Sequence, residues 1–156
     1  RESVFDGIEF VDQILKSAGY AAPRVGIAAL NPHAGDGGLF GREEIDAIGP
    51  AVERAQGAGI DADGPYPSDT VFLRARAGEF DAIVTMYHDQ GQIAMKLMGF
   101  ERGVTVLGGL PVPITTPASG SAYDIVGKGV ADPTAMKEAF KLAVKMAAGR
   151  KAATAD

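Results

Sequence analysis

The chain contains no cysteine, which excludes disulfide bonds, cysteine nucleophiles and cysteine-ligated zinc. It also has no excess of basic residues, since 15 Lys and Arg stand against 20 Asp and Glu for a net charge of -5. Nucleic-acid binding needs a basic face, so we expect no nucleic-acid partner. No apolar run approaches the roughly 20 residues that cross a bilayer, and the first residues lack the basic and apolar segments of a signal peptide. We therefore expect a cytoplasmic protein with no membrane partner.

Short apolar segments alternate with amphipathic segments along the chain. Strands are predicted at 24–30, 81–86 and 104–107, with a further extended stretch around Ile114. Helices are predicted at 4–18, 42–57, 69–78, 90–98 and 133–148. This alternation predicts an α/β fold of three layers, α/β/α, with a mainly parallel sheet. Residues 149–156 are small and polar and are predicted to form a flexible tail.

Both histidines of the chain lie where a predicted strand ends. His33 follows the first strand in the string LNPHAGDGG, and His88 follows the second in MYHDQG. Binding sites of parallel sheets form at the carboxyl ends of the strands. Imidazole is a common metal ligand, and a carboxylate such as Asp36 or Asp89 can join it or fix the tautomer of the ring. The residues alone leave two alternatives, a shared metal site or two unrelated loop histidines.

The glycines after His33 do not form a known nucleotide-binding motif. The string GDGG matches neither the G-x-x-x-x-G-K-[ST] pattern nor the G-x-G-x-x-G fingerprint, so the P-loop and Rossmann interpretations are excluded. Five strings instead resemble, in the same order, the 4-hydroxythreonine-4-phosphate dehydrogenase family: LNPHAGDGGLFGREEID, GPYPSDTVF, MYHDQG, AMKLMGFERGV and GSAYDIVGKGVAD. The resemblance runs from Arg24 to Ala147. It implies an isopropylmalate-dehydrogenase-like fold, which binds NAD without a Rossmann fingerprint.

The resemblance further implies that residues 1–148 are the carboxy-terminal half of a two-domain enzyme. The loops 30–41 and 85–91 would hold a divalent metal, Zn, Mg, Mn or Co, through His33 and His88. A third histidine would come from the missing amino-terminal half. The resemblance also implies a homodimer with the active site at the interface. Because two imidazoles fall short of the three protein ligands usual for catalytic zinc, we expect the isolated chain to be inactive.

Other positions match catalytic and binding residues of the family. Asp69 and Asp89 match acidic residues at the metal site, and Lys96 matches a lysine that contacts the substrate and moves a proton. The loop 118–131 resembles the segment that wraps the adenosine of NAD or NADP. Its expected contacts with the cofactor are Gly120, Ser121 and Asp124.

Three positions depart from the phosphate-using members of the family. Thr105 replaces an Asn, Ile114 lies near the position of an Arg that holds the substrate phosphate, and Ser119 replaces a His. Thr105, Ile114 and Lys96 are the expected substrate-binding positions. Because neither Ile nor Thr can replace the charge of Arg, the first two departures favour a substrate without phosphate.

Three functions therefore stay open at this point. The first is the family reaction, in which an NAD(P)-dependent dehydrogenase oxidises a secondary hydroxyl next to a carboxylate-bearing carbon, with decarboxylation. The second is oxidation of a cis-dihydrodiol dicarboxylate similar to terephthalate dihydrodiol. The third is a non-catalytic fragment that binds metal or nucleotide.

Overall fold

A computed structural model describes residues 2–153 of the protein. The chain divides into two compact units, the first made of Arg1–Lys16 and Tyr20–Ala94, the second of Ser17–Gly19 and Met95–Asp156. None of the helices in the described residues has the length and apolar character that crossing a membrane requires.

The first unit contains a parallel sheet and the helices that cover it. Its strands are β1 (Arg24–Ala28), β2 (Asp61–Tyr66) and β3 (Ala82–Val84). Its helices are α1 (Glu2–Ser17, of which Ser17 belongs to the second unit), α2 (Gly49–Gly57, preceded by a π-helical turn at Glu44–Ile48) and α3 (Val71–Arg76). A further helix, α4 (His88–Gly99), begins in the first unit and continues into the second.

The sheet of the first unit has the strand order β2-β1-β3, and both pairings are parallel. The central strand is the most buried, since Val25 and Ile27 have no exposed surface. Helix α1 packs Ile8 into the same core because its apolar residues recur at helical spacing. Gly26 allows close packing on β1, because a Cβ there would lie 2.7 Å from Cδ1 of Ile83 and 2.9 Å from Cγ of Phe80, so both side chains would have to shift. The parallel α/β architecture predicted from the sequence is confirmed for this unit.

The second unit is built on a β-hairpin and one long helix. Strands β4 (Val104–Leu107) and β5 (Ile114–Pro117) pair antiparallel, with Thr105 opposite Thr116 and Leu107 opposite Ile114. Helix α5 (Thr134–Ala153) joins the hairpin through a hydrogen bond of 2.8 Å from Thr115 Oγ1 to the carbonyl of Ala139. The described residues therefore form two separate sheets, one parallel and one antiparallel, so the prediction of a mainly parallel sheet holds for the first unit and not for the second.

The start of α5 was predicted correctly, and its end was not. Asp132 Oδ1 accepts a hydrogen bond of 2.9 Å from the backbone N–H of Thr134, which is the predicted capping arrangement. The helix continues to Ala153, so residues 149–153 are helical where the sequence predicted a flexible tail. Alanines at 147, 148, 152 and 153 favour this extension. Residues 154–156 of the predicted tail lie outside the described residues.

Candidate active site at the strand ends of the parallel sheet

The loop after β1 adopts a left-handed turn. Every residue from 33 to 37 has a positive φ, including His33 (52°), Ala34 (55°) and Asp36 (45°). Left-handed backbone costs roughly 1–2 kcal/mol for each residue that carries a Cβ. Such strain persists only where surrounding contacts enforce it, and it is concentrated at functional sites. The conformation of the His33 loop is therefore a candidate functional feature.

Glu44 supports this loop from inside the protein. Its carboxylate accepts hydrogen bonds of 2.8 Å from the backbone N–H groups of Leu30 and Asn31, and one of 2.9 Å from Asn31 Nδ2. Burial raises the pKa of the Glu44 carboxyl, but the hydrogen bonds from Asn31 and Leu30 lower it by more, so the net pKa lies below its ordinary value. The group is consequently a buried anion at neutral pH.

His88 begins helix α4, four positions after β3 ends. Its Nδ1 lies 2.9 Å from Oδ1 of Asp89, and the two side chains are 77% and 74% exposed. A carboxylate on Nδ1 orients an imidazole and makes Nε2 the nitrogen that is turned toward a ligand. The distance between the Asp89 carboxylate and His88 Nδ1 is therefore that of a hydrogen bond, as a carboxylate that orients the ring requires.

Gln90 connects the ends of the two strands that precede the histidines. Its Nε2 donates to the carbonyl oxygen of Ala29 at 2.9 Å, and its Oε1 accepts from the backbone N–H of Met86 at 2.9 Å. Both ends of the amide are satisfied at once, so the side chain fixes the spacing between the β1 and β3 ends.

A cavity of about 210 Å³ lies at this edge of the sheet. Its lining consists of Leu30, Pro32, His33, Ser68, Asp69 and Tyr87. The first three follow β1, the next two follow β2, and the last follows β3, so the loops after all three parallel strands contribute. His33 and Asp69 both line the cavity. His88 is not among the lining residues, although its neighbour Tyr87 is. Ligand sites of open α/β sheets occur at this position.

The donors in the described part of the chain do not complete a metal site. Among residues 2–153, no three or more His, Cys, Asp or Glu side chains converge where they could hold an ion. Catalytic zinc usually has three protein ligands, so His33 and His88 alone fall short of that set. That both histidines bind one metal stays a prediction.

The predicted substrate residues of the second unit lie on and near the hairpin. Thr105 and Ile114 belong to the same exposed face of the hairpin, because Ile114 pairs with Leu107, two positions after Thr105. Lys96 is exposed on α4, with its Nζ 6.0 Å from the centre of the Phe100 ring. Their roles in substrate binding stay predictions.

All three residues of the loop 118–131 that are predicted to contact the cofactor are exposed. Gly120 and Ser121 precede Ala122, which has a left-handed φ of 48°, and Asp124 lies in the short 3-10 turn Tyr123–Ile125 that follows. Exposure and a sharp turn suit a loop that closes on a ligand, and the assignment to NAD stays a prediction.

Sequence reasoning missed two residues of this region, Glu44 and Gln90. Both occur in strings that carried the resemblance, REEID and MYHDQG. Their contacts with the backbone of residues 29–31 span 13 to 61 positions, which no local pattern shows. A charged residue at a position that helical spacing places inside was the available signal for Glu44.

Comparison with known proteins agrees with this description. The sequence profile of the family described as pyridoxal phosphate biosynthetic protein PdxA matches residues 1–143. A Pseudomonas aeruginosa protein, provisionally named 4-hydroxythreonine-4-phosphate dehydrogenase 2, is 59% identical over 148 residues, which cover 94% of this chain and 44% of that protein. The D-threonate 4-phosphate dehydrogenase of Cupriavidus necator is 49% identical over 144 residues, which cover 92% of this chain and 43% of that protein.

Two solved structures resemble the fold. The 4-hydroxythreonine-4-phosphate dehydrogenase of Klebsiella pneumoniae matches with a TM-score of 0.80 and 42% identity, over 92% of this chain and 44% of that one. A terephthalate 1,2-cis-dihydrodiol dehydrogenase of Burkholderia xenovorans LB400 matches with a TM-score of 0.62 and 33% identity, over 88% and 43%. The chain thus spans less than half the length of these relatives. It belongs to the PdxA family of pyridoxal phosphate biosynthetic proteins.

Proposed function

We propose that the complete protein containing this chain is an NAD(P)-dependent dehydrogenase of a phosphorylated hydroxy acid. The substrate class is that of 4-hydroxythreonine 4-phosphate and D-threonate 4-phosphate, which are the substrates named for the relatives. The observation that carries the proposal is the cavity lined by the loops after all three parallel strands, with His33 and Asp69 in its wall. An imidazole and a carboxylate in one cavity can bind a hydroxyl and accept its proton.

The reaction removes two electrons from a carbon that bears a secondary hydroxyl. When bound, a divalent metal held by His33, His88 and a ligand from outside the described residues supplies Lewis acidity, and NAD or NADP supplies the hydride acceptor. Asp69, an exposed carboxylate in the cavity wall, accepts the hydroxyl proton. Asp89 keeps the ring of His88 oriented through Nδ1.

Decarboxylation follows from the product of oxidation. A ketone β to a carboxylate loses CO2 when the carbon–carbon bond breaks and its electron pair moves toward the carbonyl. The resulting enolate then takes a proton at carbon. Lys96 is proposed as the group that delivers this proton, or alternatively as the cation that anchors an anionic group of the substrate.

A second candidate is the oxidation of a cis-dihydrodiol dicarboxylate. The observation in its favour is that residues 105–116 contain no Lys or Arg and place Ile114 on an exposed face. A phosphate carries nearly two negative charges and calls for a cation or several N–H donors. The three phosphate-named relatives described above share 42–59% identity with this chain, against 33% for the dihydrodiol dehydrogenase, so the phosphorylated substrate is preferred here.

Substrate comparison on the complete protein separates these candidates. We expect kcat/KM for D-threonate 4-phosphate or 4-hydroxythreonine 4-phosphate to exceed that for terephthalate dihydrodiol, with NAD or NADP as acceptor. The opposite preference would establish the second candidate. In that case Ile114→Arg should add activity on the phosphorylated substrates, and Val112→Arg, an exposed position two residues earlier, should not.

A third possibility is that this chain only binds metal or nucleotide. Zinc and NAD titrations of the 156-residue chain and of the complete protein address it. We expect weak metal binding and no turnover by the chain alone, because two imidazoles leave the ligand set incomplete. Turnover by the complete protein would exclude a purely binding role.

A further inference from the structure

Glu44 has an unusual environment for a carboxylate. Only 6% of its surface is exposed, and both of its oxygens accept hydrogen bonds from the segment just before the left-handed turn. Oε1 binds the backbone N–H groups of Leu30 and Asn31, and Oε2 binds the side-chain amide of Asn31. A carboxylate that binds consecutive backbone N–H groups fixes the local backbone path. Leu30 and Asn31 immediately precede Pro32 and His33.

The same carboxylate also lies against the middle of the turn. A Cβ built on Gly35 would lie 2.7 Å from Glu44 Oε2 and 3.0 Å from the carbonyl oxygen of Gly41. Gly35 is buried, whereas a Cβ on Gly37, two positions further along the turn, would meet nothing within 4 Å. Glu44 therefore touches the start of the turn and its inner side, while the outer side is open.

Three residues of the turn carry a Cβ and have left-handed φ angles, so the turn requires support from outside itself. Glu44 contributes to that support, because it binds Leu30 and Asn31 just before the turn and lies against the buried Gly35 within it. His33 is the residue of the turn that lines the cavity.

We propose that Glu44 is a positioning residue for the reaction, because it holds the left-handed turn 33–37 in the one conformation that presents His33 to the cavity. This role rests on the proposed function, since it matters only if His33 takes part in binding or turnover. Glu44 itself reaches no substrate. The alternative is that Glu44 merely stabilises the first unit, in the manner of any satisfied buried carboxylate.

The first test compares Glu44→Gln with Glu43→Gln in the complete protein. Glu43 is the matched control, because it is the adjacent carboxylate and also binds Asn31 Nδ2, at 2.6 Å, but it is exposed and makes no hydrogen bond with the loop backbone among residues 2–153. In Glu44→Gln the new NH2 group faces the NH2 group of Asn31, so one hydrogen bond becomes a repulsion. Hydrogen exchange of peptides covering 30–41 should rise about tenfold or more, as expected when local structure opens.

The same variants are assayed for turnover and for Zn²⁺ binding by equilibrium dialysis. We expect kcat of Glu44→Gln to fall about 10- to 100-fold and its Zn²⁺ affinity to fall by a similar factor, the range typical of outer-shell partners. The KM for NAD should change less than about twofold, since only the His33 loop is affected. Glu43→Gln should change each quantity less than about twofold. A purely structural role would lower the melting temperature and leave kcat of the folded enzyme and its Zn²⁺ affinity unchanged.

A second pair of variants tests the contact without altering Glu44. Gly35→Ala and Gly37→Ala both place a Cβ on left-handed backbone, with φ of 81° and 66°, so both carry the same kind of strain. Only Gly35→Ala pushes against Glu44 Oε2. We expect Gly35→Ala to reproduce the loss of kcat and the faster exchange in 30–41, and Gly37→Ala to show a much smaller change in both. If Glu44→Gln does not fold, these two glycine variants still test whether Glu44 positions the turn.

The possible results separate a failure of the Glu44 proposal from a failure of the proposed function. Unchanged exchange in 30–41 for both Glu44→Gln and Gly35→Ala would overturn the proposal whatever the enzyme does. Faster exchange with unchanged kcat and Zn²⁺ affinity would also overturn it, and would remove His33 from the proposed function as well. Absence of turnover in the unmodified complete protein, with faster exchange in both variants, would refute the proposed function and leave the Glu44 anchor in place.

Discussion

Gln90 Nε2 donates a hydrogen bond of 2.9 Å to the carbonyl oxygen of Ala29, 61 positions earlier in the chain. The other end of the same amide accepts the backbone N–H of Met86 at 2.9 Å. Ala29 directly follows β1, and Met86 follows β3 by two residues. One side chain thus ties together the two segments that lead into His33 and His88.

Replacement of Gln90 by Leu should weaken both stability and turnover of the complete protein. It removes the Gln90 hydrogen bonds from the carbonyl of buried Ala29 and from the N–H of half-buried Met86, which costs about 2 kcal/mol in the free energy of unfolding. Because the spacing of the two strand ends is then no longer fixed, kcat/KM should fall about 10- to 100-fold. Gln92→Leu, two positions further along α4, is the control. Chemical denaturation and steady-state kinetics measure the two effects.

The conservative variant Gln90→Glu removes only one of the two hydrogen bonds that the Gln90 side chain makes. Its carboxylate still accepts from Met86 but cannot donate to Ala29, so one of the two connections is lost. An activity close to that of the unmodified protein in both Gln90 variants would show that the spacing of the strand ends does not matter for turnover.

Asp89→Asn should reduce activity less than His88→Asn does. The carboxylate of Asp89 lies 2.9 Å from Nδ1 of His88 and orients the ring, whereas His88 is a proposed ligand. Loss of such an orienting partner typically costs about 10- to 100-fold. The measurement is kcat/KM together with Zn²⁺ affinity at fixed pH. Equal losses in the two variants would mean that Asp89 itself acts on metal or substrate.

The ion pair of Arg24 and Asp81 gives the first unit a defined pH dependence. Hydrogen bonds from the Arg24 side chain and then from its backbone N–H hold the pKa of the Asp81 carboxyl below its ordinary value. Because the folded-state pKa is lowered, this contribution is fully present above the ordinary pKa of aspartate and is lost as the pH falls through the lowered value.

We therefore expect Asp81→Asn to lower the melting temperature at pH 7. The difference from the unmodified protein should shrink as the pH falls below about 4, where the carboxyl of the unfolded chain is already protonated. Asp6→Asn, at an exposed position on α1 and also the removal of one carboxylate, is the control. A difference that stays constant down to acid pH would contradict the assignment.

Most of the fold followed from local patterns in the sequence. The strand 104–107 was predicted with its observed bounds, and the capping of α5 by Asp132 was predicted from Asp-Pro. The strand β2 was missed, because its residues DADGPY are depleted in strands and only the parallel pairing with β1 makes them extended. The π-helical turn before α2 was read as ordinary helix, since the apolar spacing does not separate the two.

From the residues alone, only the part of the candidate site that follows a predicted strand could be predicted. His33 was placed at a strand end by the sequence, whereas Asp69 came from the resemblance, because the strand β2 before it was missed. The structure places both residues in the lining of one cavity. The support by Glu44 and Gln90 was not predictable, because it consists of side-chain bonds to distant backbone groups. The predictions for Lys96, Thr105, Ile114 and the loop at 120–124 came from the resemblance alone and stay predictions.

The central claim is that the loops after the parallel strands form the reaction site, and turnover by His33→Asn and His88→Asn variants of the complete protein tests it most directly. Asn is a suitable replacement at position 33, because it tolerates left-handed backbone and keeps the turn. We predict that each variant folds with an unchanged circular dichroism spectrum and loses roughly 100-fold or more in kcat/KM on the phosphorylated hydroxy acids. The double variant should lose little more, since groups that act as one unit are not additive. Activity within about twofold of the unmodified protein in either single variant would contradict the account.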